Sequence, residues 1–214
     1  MAGAGAKSPK KVTQRGRYDR NQSREERFEE QRVRFLDSAT EVFATKGFVD
    51  TTVQDITEKS GLSRATFYTH FKDIDDLRFH VFERASGRAT AIIVTSAAGA
   101  APRDRLREGI RAYFHLLTTW PNVARVIFHE VRMPLPRNMR RREKIMSRFI
   151  EVFRSGLEEA HKNGTISKVP DEVTIFAVIA AIEGVALRYL DKGEEAKADE
   201  AIPSLLAFIQ RAFA

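Results

Sequence analysis

Apolar residues recur every three or four positions along most of the chain, which is the spacing of helices that bury one face. The pattern begins at Phe28 and continues on one side through Phe35, Leu36 and Phe43. It resumes in separate segments as far as the C terminus, and none of them shows the alternation that is typical of β-strands. The sequence therefore predicts an all-α fold.

Residues that start and stop helices lie close together between positions 47 and 77. Thr52 and Asp55 have the spacing of a capping box, which predicts the start of a second helix. Gly61 ends that short helix, Ser63 can cap a third, and Asp73 begins a fourth. Two short helices joined by a turn with a glycine and preceded by a longer helix follow the helix-turn-helix plan.

The third predicted helix, within "GLSRATFYTHF" (61–71), has a surface rich in hydrogen-bond donors and free of acidic side chains. Phe67 and Phe71 are suited to a core beneath it. A helix from Arg64 to Phe71 would be roughly 12 Å long, which fits a major groove about 12 Å wide. Arg64 could donate to a guanine and Ala65 could contact a thymine methyl, so we expect this helix to read DNA.

The rest of the chain predicts further helices, interrupted at residues 95–104 and 134–138. We expect three parts: a basic disordered arm at 1–27, a helix-turn-helix DNA-binding domain at 28–75, and a helical ligand-binding and dimerisation domain at 76–214. The arm either lies along DNA phosphates or is a solvated tail without a role.

Composition narrows the possible classes of protein. The net charge of +7 favours an anionic partner, and the absence of cysteine excludes disulfides. The longest apolar run, 173–187, contains Glu183 and is short for a membrane span, and no signal peptide is visible. The chain has no phosphate-binding loop, nucleophile elbow or dinucleotide fingerprint, and its histidines lack paired metal spacing. We expect a cytoplasmic, nucleoid-associated bacterial protein that is not an enzyme, with no cofactor and no metal.

The segment "GFVDTTVQDITEKSGLSRATFYTHFKDIDDL" (47–77) resembles the DNA-binding domain of the tetracycline-repressor (TetR) family of bacterial regulators. The resemblance implies two sets of contacts with an operator in double-stranded DNA. The residues expected near bases are Gln54, Ser63, Arg64 and Ala65, and those expected on phosphates are Thr52, Thr66, Tyr68, His70 and Lys72. The chain departs from the family pattern at Thr57, where alanine is usual, and at Ile74, where a phosphate-binding lysine is common.

For the C-terminal part the resemblance implies a homodimer and a small-molecule site. Small residues in the last two long helices would allow close approach of a partner, and the expected interface comprises Ala177, Ala180, Ala181, Gly184, Leu187, Leu206, Ile209 and Phe213. The alternative is that these faces belong to the core of one subunit. The expected pocket lies between the middle helices and comprises Tyr113, Trp120, Phe128, Glu130, Phe149, Phe153 and Glu183.

The sequence thus predicts a ligand-responsive repressor that binds an inverted-repeat operator as a homodimer. The recognition helices would enter successive major grooves about 34–36 Å apart, and a small, largely apolar effector would favour another separation. The alternative is a DNA-tethered interaction or architectural protein without a ligand, whose interior would be filled. The operator, the target genes, the ligand and the direction of regulation are not encoded in any pattern that we can identify.

Overall fold

The structure, a computed structural model, describes residues 23–132, 136–164 and 166–213. This part of the chain folds into α-helices without a strand, which confirms the all-α prediction. The helices are α1 (Arg24–Lys46), α2 (Val53–Ser60), α3 (Arg64–His70), α4 (Ile74–Ala98), α5 (Arg105–Thr119), α6 (Pro121–Arg132), α7 (Met139–Lys162), α8 (Glu172–Lys192) and α9 (Ile202–Ala212).

The predicted start and stop signals of the short helices are present. Thr52 and Asp55 form a reciprocal capping box at the start of α2. Gly61 ends that helix with a φ of 66°, in the left-handed region that favours glycine. The Ser63 side chain accepts a hydrogen bond from the backbone N–H of Thr66 and so caps α3. The turn between the two helices is therefore set by local sequence.

Helix α1 begins earlier than its apolar pattern indicates. Ser23 and Glu26 form a second capping box, so α1 includes four residues that we assigned to a disordered arm. The signal was polar, a serine followed three residues later by a glutamate, and it precedes the first apolar position. The remainder of the expected arm, residues 1–22, lies outside the described residues.

The N-terminal core is built around phenylalanine rings from α1 and α3. Phe35, Phe67 and Phe71 are almost completely buried. The ring of Phe35 meets those of Phe67 and Phe71 nearly edge-on, at centroid distances of 5.6 and 6.1 Å. Such pairs add to the stabilisation that burial alone provides. They fix α3 against α1 and leave its other face exposed.

Helix α4 takes part in both halves of the molecule. Its first half, including Leu77, Phe79 and Phe82, is buried in the N-terminal core. Val126 of α6 belongs to the same cluster, so the core does not end at the boundary of 75 that we expected. The second half of α4 packs along α5, where Ile93 and Ala97 approach Gly109.

The C-terminal core brings together α5, α6, α7, α8 and α9. Phe114, Leu117, Ile175 and Ile209 are among its most buried side chains. Helix α8 is long and apolar enough to cross a membrane by length and composition, but a single such helix is weak support for a span. Six of its residues are buried inside this core.

We predict that Phe67→Ala lowers the free energy of unfolding by about 3–5 kcal/mol, because it opens a cavity among packed rings. Tyr68→Ala on the same helix is the control, since that side chain is 48% exposed. Its effect should stay below about 1 kcal/mol. Urea denaturation of both variants measures the difference, and equal losses would contradict this account of the core.

Candidate DNA-binding surface and ligand cavity

The four residues expected near DNA bases lie together on the exposed side of α2 and α3. Gln54, Ser63, Arg64 and Ala65 are all exposed. Arg64 donates a hydrogen bond to the Tyr68 hydroxyl at 3.3 Å, and its guanidinium lies 5.7 Å from the centroid of that ring. Arg64 is therefore held at the start of α3, over the exposed surface.

Four of the five residues expected on phosphates are partly or fully exposed around the same surface. Thr52, Tyr68 and Lys72 are exposed, and Thr66 is half-buried beside Ser63. The Thr52 hydroxyl donates to Asp55 at 2.7 Å. A hydrogen bond from Lys46, followed by those from Thr52, lowers the pKa of Asp55 to about 2. The capping box thus stays charged at any pH at which DNA is bound.

His70, the fifth, is turned towards α1 instead of away from the protein. Its ring lies 4.1 Å from the centroid of Phe28, and its Nε2 atom is 3.3 Å from the side-chain oxygen of Gln31. Burial, followed by the charge of Arg32, lowers the pKa of His70 below its usual value. The neutral ring packs against α1, which is at odds with a direct phosphate contact.

The two departures from the family pattern have structural explanations. The Thr57 hydroxyl donates to the backbone carbonyl of Gln54 at 2.9 Å, so the extra polar group is satisfied within α2. Ile74 packs against the N-terminal core, so α4 begins with an apolar contact. Lys72 remains the exposed cation at the end of α3.

A cavity of about 880 Å³ lies among α4, α5, α7, α8 and α9. Most of its lining side chains are apolar. They include Ile93 and Val94 from α4, Ile110 from α5 and Val152 from α7. The volume falls in the range of about 300–1,000 Å³ that is usual for small-molecule sites. The interior is therefore not filled, which was the feature expected of a protein without a ligand.

Four residues of the predicted pocket line this cavity: Tyr113, Phe149, Phe153 and Glu183. Phe128 does not, because it is buried behind Tyr113, with ring centroids 6.2 Å apart. Trp120 does not either, because it lies after α5 under the guanidinium of Arg88, 4.6 Å from its ring. Glu130 belongs to α6, but its side chain lies outside the described residues.

The α4 wall and a group of arginines are the parts of the cavity that sequence reasoning missed. Arg103, Arg105 and Arg107 line the end of the cavity at the start of α5. Arg105 forms an ion pair with Glu159 of α7, whereas Arg103 and Arg107 are largely exposed. Three arginines within five positions were the available signal.

Polar groups also lie at the other end, farther along α5. The Tyr113 ring lines the cavity, but its hydroxyl oxygen is covered by protein. Burial, reinforced by the charge of Glu183, raises the pKa of Tyr113 well above its usual value. Burial also raises the pKa of the Glu183 carboxyl, and the positive charge of Arg142 opposes that shift.

The expected dimer residues fall into two groups. Ala177, Ala180 and Gly184 of α8 are exposed, and Ala181 and Leu187 are half-buried. Ile209 and Phe213 of α9 are buried in the core of one subunit, and Leu206 lines the cavity. For these three α9 residues the placement supports the alternative reading. Large apolar side chains that we did not single out are exposed instead, namely Val173, Phe176 and Phe208.

The N-terminal end of α7 contacts the first turns of α4. The Arg141 guanidinium lies 3.8 Å from the centroid of the Phe79 ring and 3.3 Å from a carboxylate oxygen of Asp76. Asp76 also accepts a hydrogen bond from the backbone N–H of Lys72, at the end of the helix-turn-helix unit. The helix that provides Phe149 and Phe153 to the cavity therefore touches the DNA-binding half directly.

Two family models match the chain. The model for bacterial regulatory proteins of the tetR family matches residues 35–81, and a tetracyclin repressor-like C-terminal domain matches residues 99–203. The uncharacterized HTH-type transcriptional regulator YerO of Bacillus subtilis is 33% identical over 88 residues, covering 40% of this chain but only 30% of YerO. The fatty acid metabolism regulator protein of the same organism is 25% identical over 140 residues, which is 64% of this chain and 71% of that protein.

Solved structures share the fold. The fatty acid degradation regulator FadR from Bacillus halodurans superposes with a TM-score of 0.76 at 16% identity, covering 84% of this chain and 94% of that one. FadR from Bacillus subtilis, solved in complex with stearoyl-CoA, has a TM-score of 0.75 at 20% identity and covers 85% and 99% of the two chains. With matches in both its DNA-binding and C-terminal parts, the chain belongs to the tetracycline-repressor (TetR) family of bacterial transcriptional regulators.

Proposed function

We propose that the protein is a cytoplasmic repressor that binds an inverted-repeat operator as a homodimer and releases it when an acyl-chain ligand occupies the cavity. The observation that carries this proposal is the position of α4, which is buried under the recognition helix at one end and lines the cavity at the other.

The recognition helix would enter the major groove with its N-terminal end towards the bases. Helix α3 has seven residues, so it is roughly 10 Å long and fits a groove about 12 Å wide. Arg64 lies at its first position and can release Tyr68 to form a forked contact with a guanine. Thr52, Thr66, Tyr68 and Lys72 surround it and would hold phosphates, which position the helix without specifying sequence.

The unpartnered face of α8 supports the homodimer. Val173 and Phe176 are 77% and 55% exposed, and Ala177, Ala180 and Gly184 continue the same side of the helix. Phe208 of α9 is also exposed. An apolar helix face of this length would be covered by the same face of a second subunit, as a two-fold axis requires.

The cavity supports an acyl-chain ligand with an anionic head. Its walls are aliphatic and aromatic along α4, α5 and α7, and Arg103 and Arg107 at one end are exposed. Exposed guanidinium groups bind carboxylates and phosphates. The relatives that regulate fatty acid metabolism, and the FadR structure that holds stearoyl-CoA, point to the same chemical class.

Helix α7 supplies the route from the cavity to the DNA-binding half. Phe149 and Phe153 would shift when a chain enters between α5 and α7, and Arg141 would transmit that shift to Asp76 and Phe79 of α4. A ligand changes the operator affinity only by the difference between its affinities for the two states, typically about 1–3 kcal/mol. The alternative without a ligand is less well supported, because the interior is open.

We predict that Arg64→Ala relaxes the preference at one base pair of each half-site by about 1–3 kcal/mol. Lys72→Ala is the matched comparison, because it should weaken all sequences about equally and reduce the salt slope by about one per contact. Competition binding against single-base operator variants distinguishes the two. An unchanged preference profile for Arg64→Ala would remove this residue from base reading.

We predict that Gly184→Trp converts the dimer to a folded monomer. A side chain added at Gly184 meets no atom within 4 Å in the subunit, so the subunit should tolerate it while a close partner helix would not. Gly87→Trp on α4 is the control, since a side chain there meets no atom within 4 Å either. Sedimentation at micromolar concentration and circular dichroism test this. A wild-type monomer, or a Gly184→Trp dimer, would contradict the α8 interface.

We predict that Arg141→Gln weakens the communication between cavity and operator more than it weakens either binding event. The ratio of stearoyl-CoA affinities without and with operator should fall by about 0.5–2 kcal/mol, because the contact with Asp76 and Phe79 is lost. The neighbouring, exposed Arg140 provides the control Arg140→Gln. Fluorescence anisotropy of labelled operator, with calorimetry of the ligand, measures both affinities. A ratio that stays at the wild-type value would exclude this route.

A further inference from the structure

The end of the cavity between α5 and α8 carries polar groups that a purely aliphatic chain would leave unsatisfied. The Tyr113 hydroxyl has no hydrogen-bond partner within the described part of the chain, although it is covered by protein. Glu183 of α8 lines the same cavity and is close enough to act electrostatically on Tyr113. A buried donor without a partner costs free energy, which a matching group on a ligand would recover.

We propose, on the basis of the ligand-controlled function above, that Tyr113 and Glu183 bind a neutral hydroxyl group carried near the middle of an acid-headed aliphatic ligand. The cavity would then be selective for a hydroxylated chain over a plain one. The anionic head lies at the other end, beside Arg103 and Arg107.

Charge around this pair favours a neutral group. Arg142 acts on Glu183 with a positive charge, so an ammonium group at this position would be repelled. A carboxylate would be repelled by Glu183 whenever that residue is ionised. A hydroxyl both donates and accepts, so it can accept from the Tyr113 hydroxyl and donate to a Glu183 oxygen.

The position along the chain follows from the helix geometry. Arg105 and Tyr113 are eight residues apart on α5, which corresponds to roughly 12 Å along the helix axis. On the facing helix, Glu159 pairs with Arg105, while Phe149 lies at the Tyr113 end. A carboxylate at the arginines therefore places the middle of a long chain, and not its first carbons, beside Tyr113 and Glu183.

Calorimetry with three acids of equal length tests this on the full-length wild-type protein. The probes are stearic acid, stearic acid with a hydroxyl beside the carboxylate, and stearic acid with a hydroxyl near mid-chain. We expect the mid-chain isomer to bind about fivefold to tenfold more tightly than the other two, as one additional buried hydrogen bond would give. Equal binding of all three overturns this inference and leaves ligand control standing. No binding of any acid overturns both.

Two variants identify the residues responsible. Tyr113→Phe should abolish the preference for the mid-chain isomer, whereas Glu183→Gln should retain part of it, because an amide can still donate and accept. Phe153→Leu is the control: it alters the cavity wall away from the polar pair and should change all three affinities alike. Operator binding without acid verifies folding of each variant. A Tyr113→Phe protein that keeps the full preference would overturn the proposal.

Discussion

Helix α4 is buried against two separate hydrophobic cores, and this double burial connects the recognition helix to the cavity. At its start, Leu77 and Phe82 pack with Phe67 and Phe71, so α3 cannot move independently of α4. Farther along, Ile93 and Val94 form a wall of the cavity. Because close-packed interiors transmit small displacements instead of absorbing them, a change at one end of such a helix is felt at the other.

The aromatic core beneath α3 also explains why the DNA-facing surface is polar without acidic residues. Phe67 and Phe71 take the buried positions of a short helix, which leaves Arg64, Thr66 and Tyr68 for the outward face. Ser63 caps the helix with its side chain, so the backbone at this end needs no acidic residue. The packing and the surface are two consequences of one periodic pattern.

Local signals made the DNA-binding half predictable from sequence. Thr52, Asp55, Gly61 and Ser63 act through hydrogen bonds and backbone conformations within a few residues, so their spacing is sufficient to locate the helices. His70 shows the limit of this reasoning. Whether its ring points to DNA or to α1 depends on Phe28 and Gln31, which are about forty positions away along the chain.

Tertiary packing determines the rest, and sequence reasoning recovered less of it. Phe149 and Phe128 look alike as aromatic residues of middle helices, yet only the first lines the cavity. Ile209 and Phe208 are adjacent apolar residues of α9, yet the first is buried and the second exposed. The angle at which each helix packs decides between such neighbours, and hydrophobic spacing alone does not give that angle.

The most direct test of the account is the distance between the two DNA-binding halves of the dimer. The chain has no cysteine, so Val49→Cys would carry a single spin label per subunit at a position 79% exposed. Pulsed dipolar spectroscopy would compare the operator complex with the stearoyl-CoA complex. The account predicts two different label-to-label distances, because occupancy of the cavity moves α4. Identical distance distributions, with the ligand shown to be bound, would contradict it.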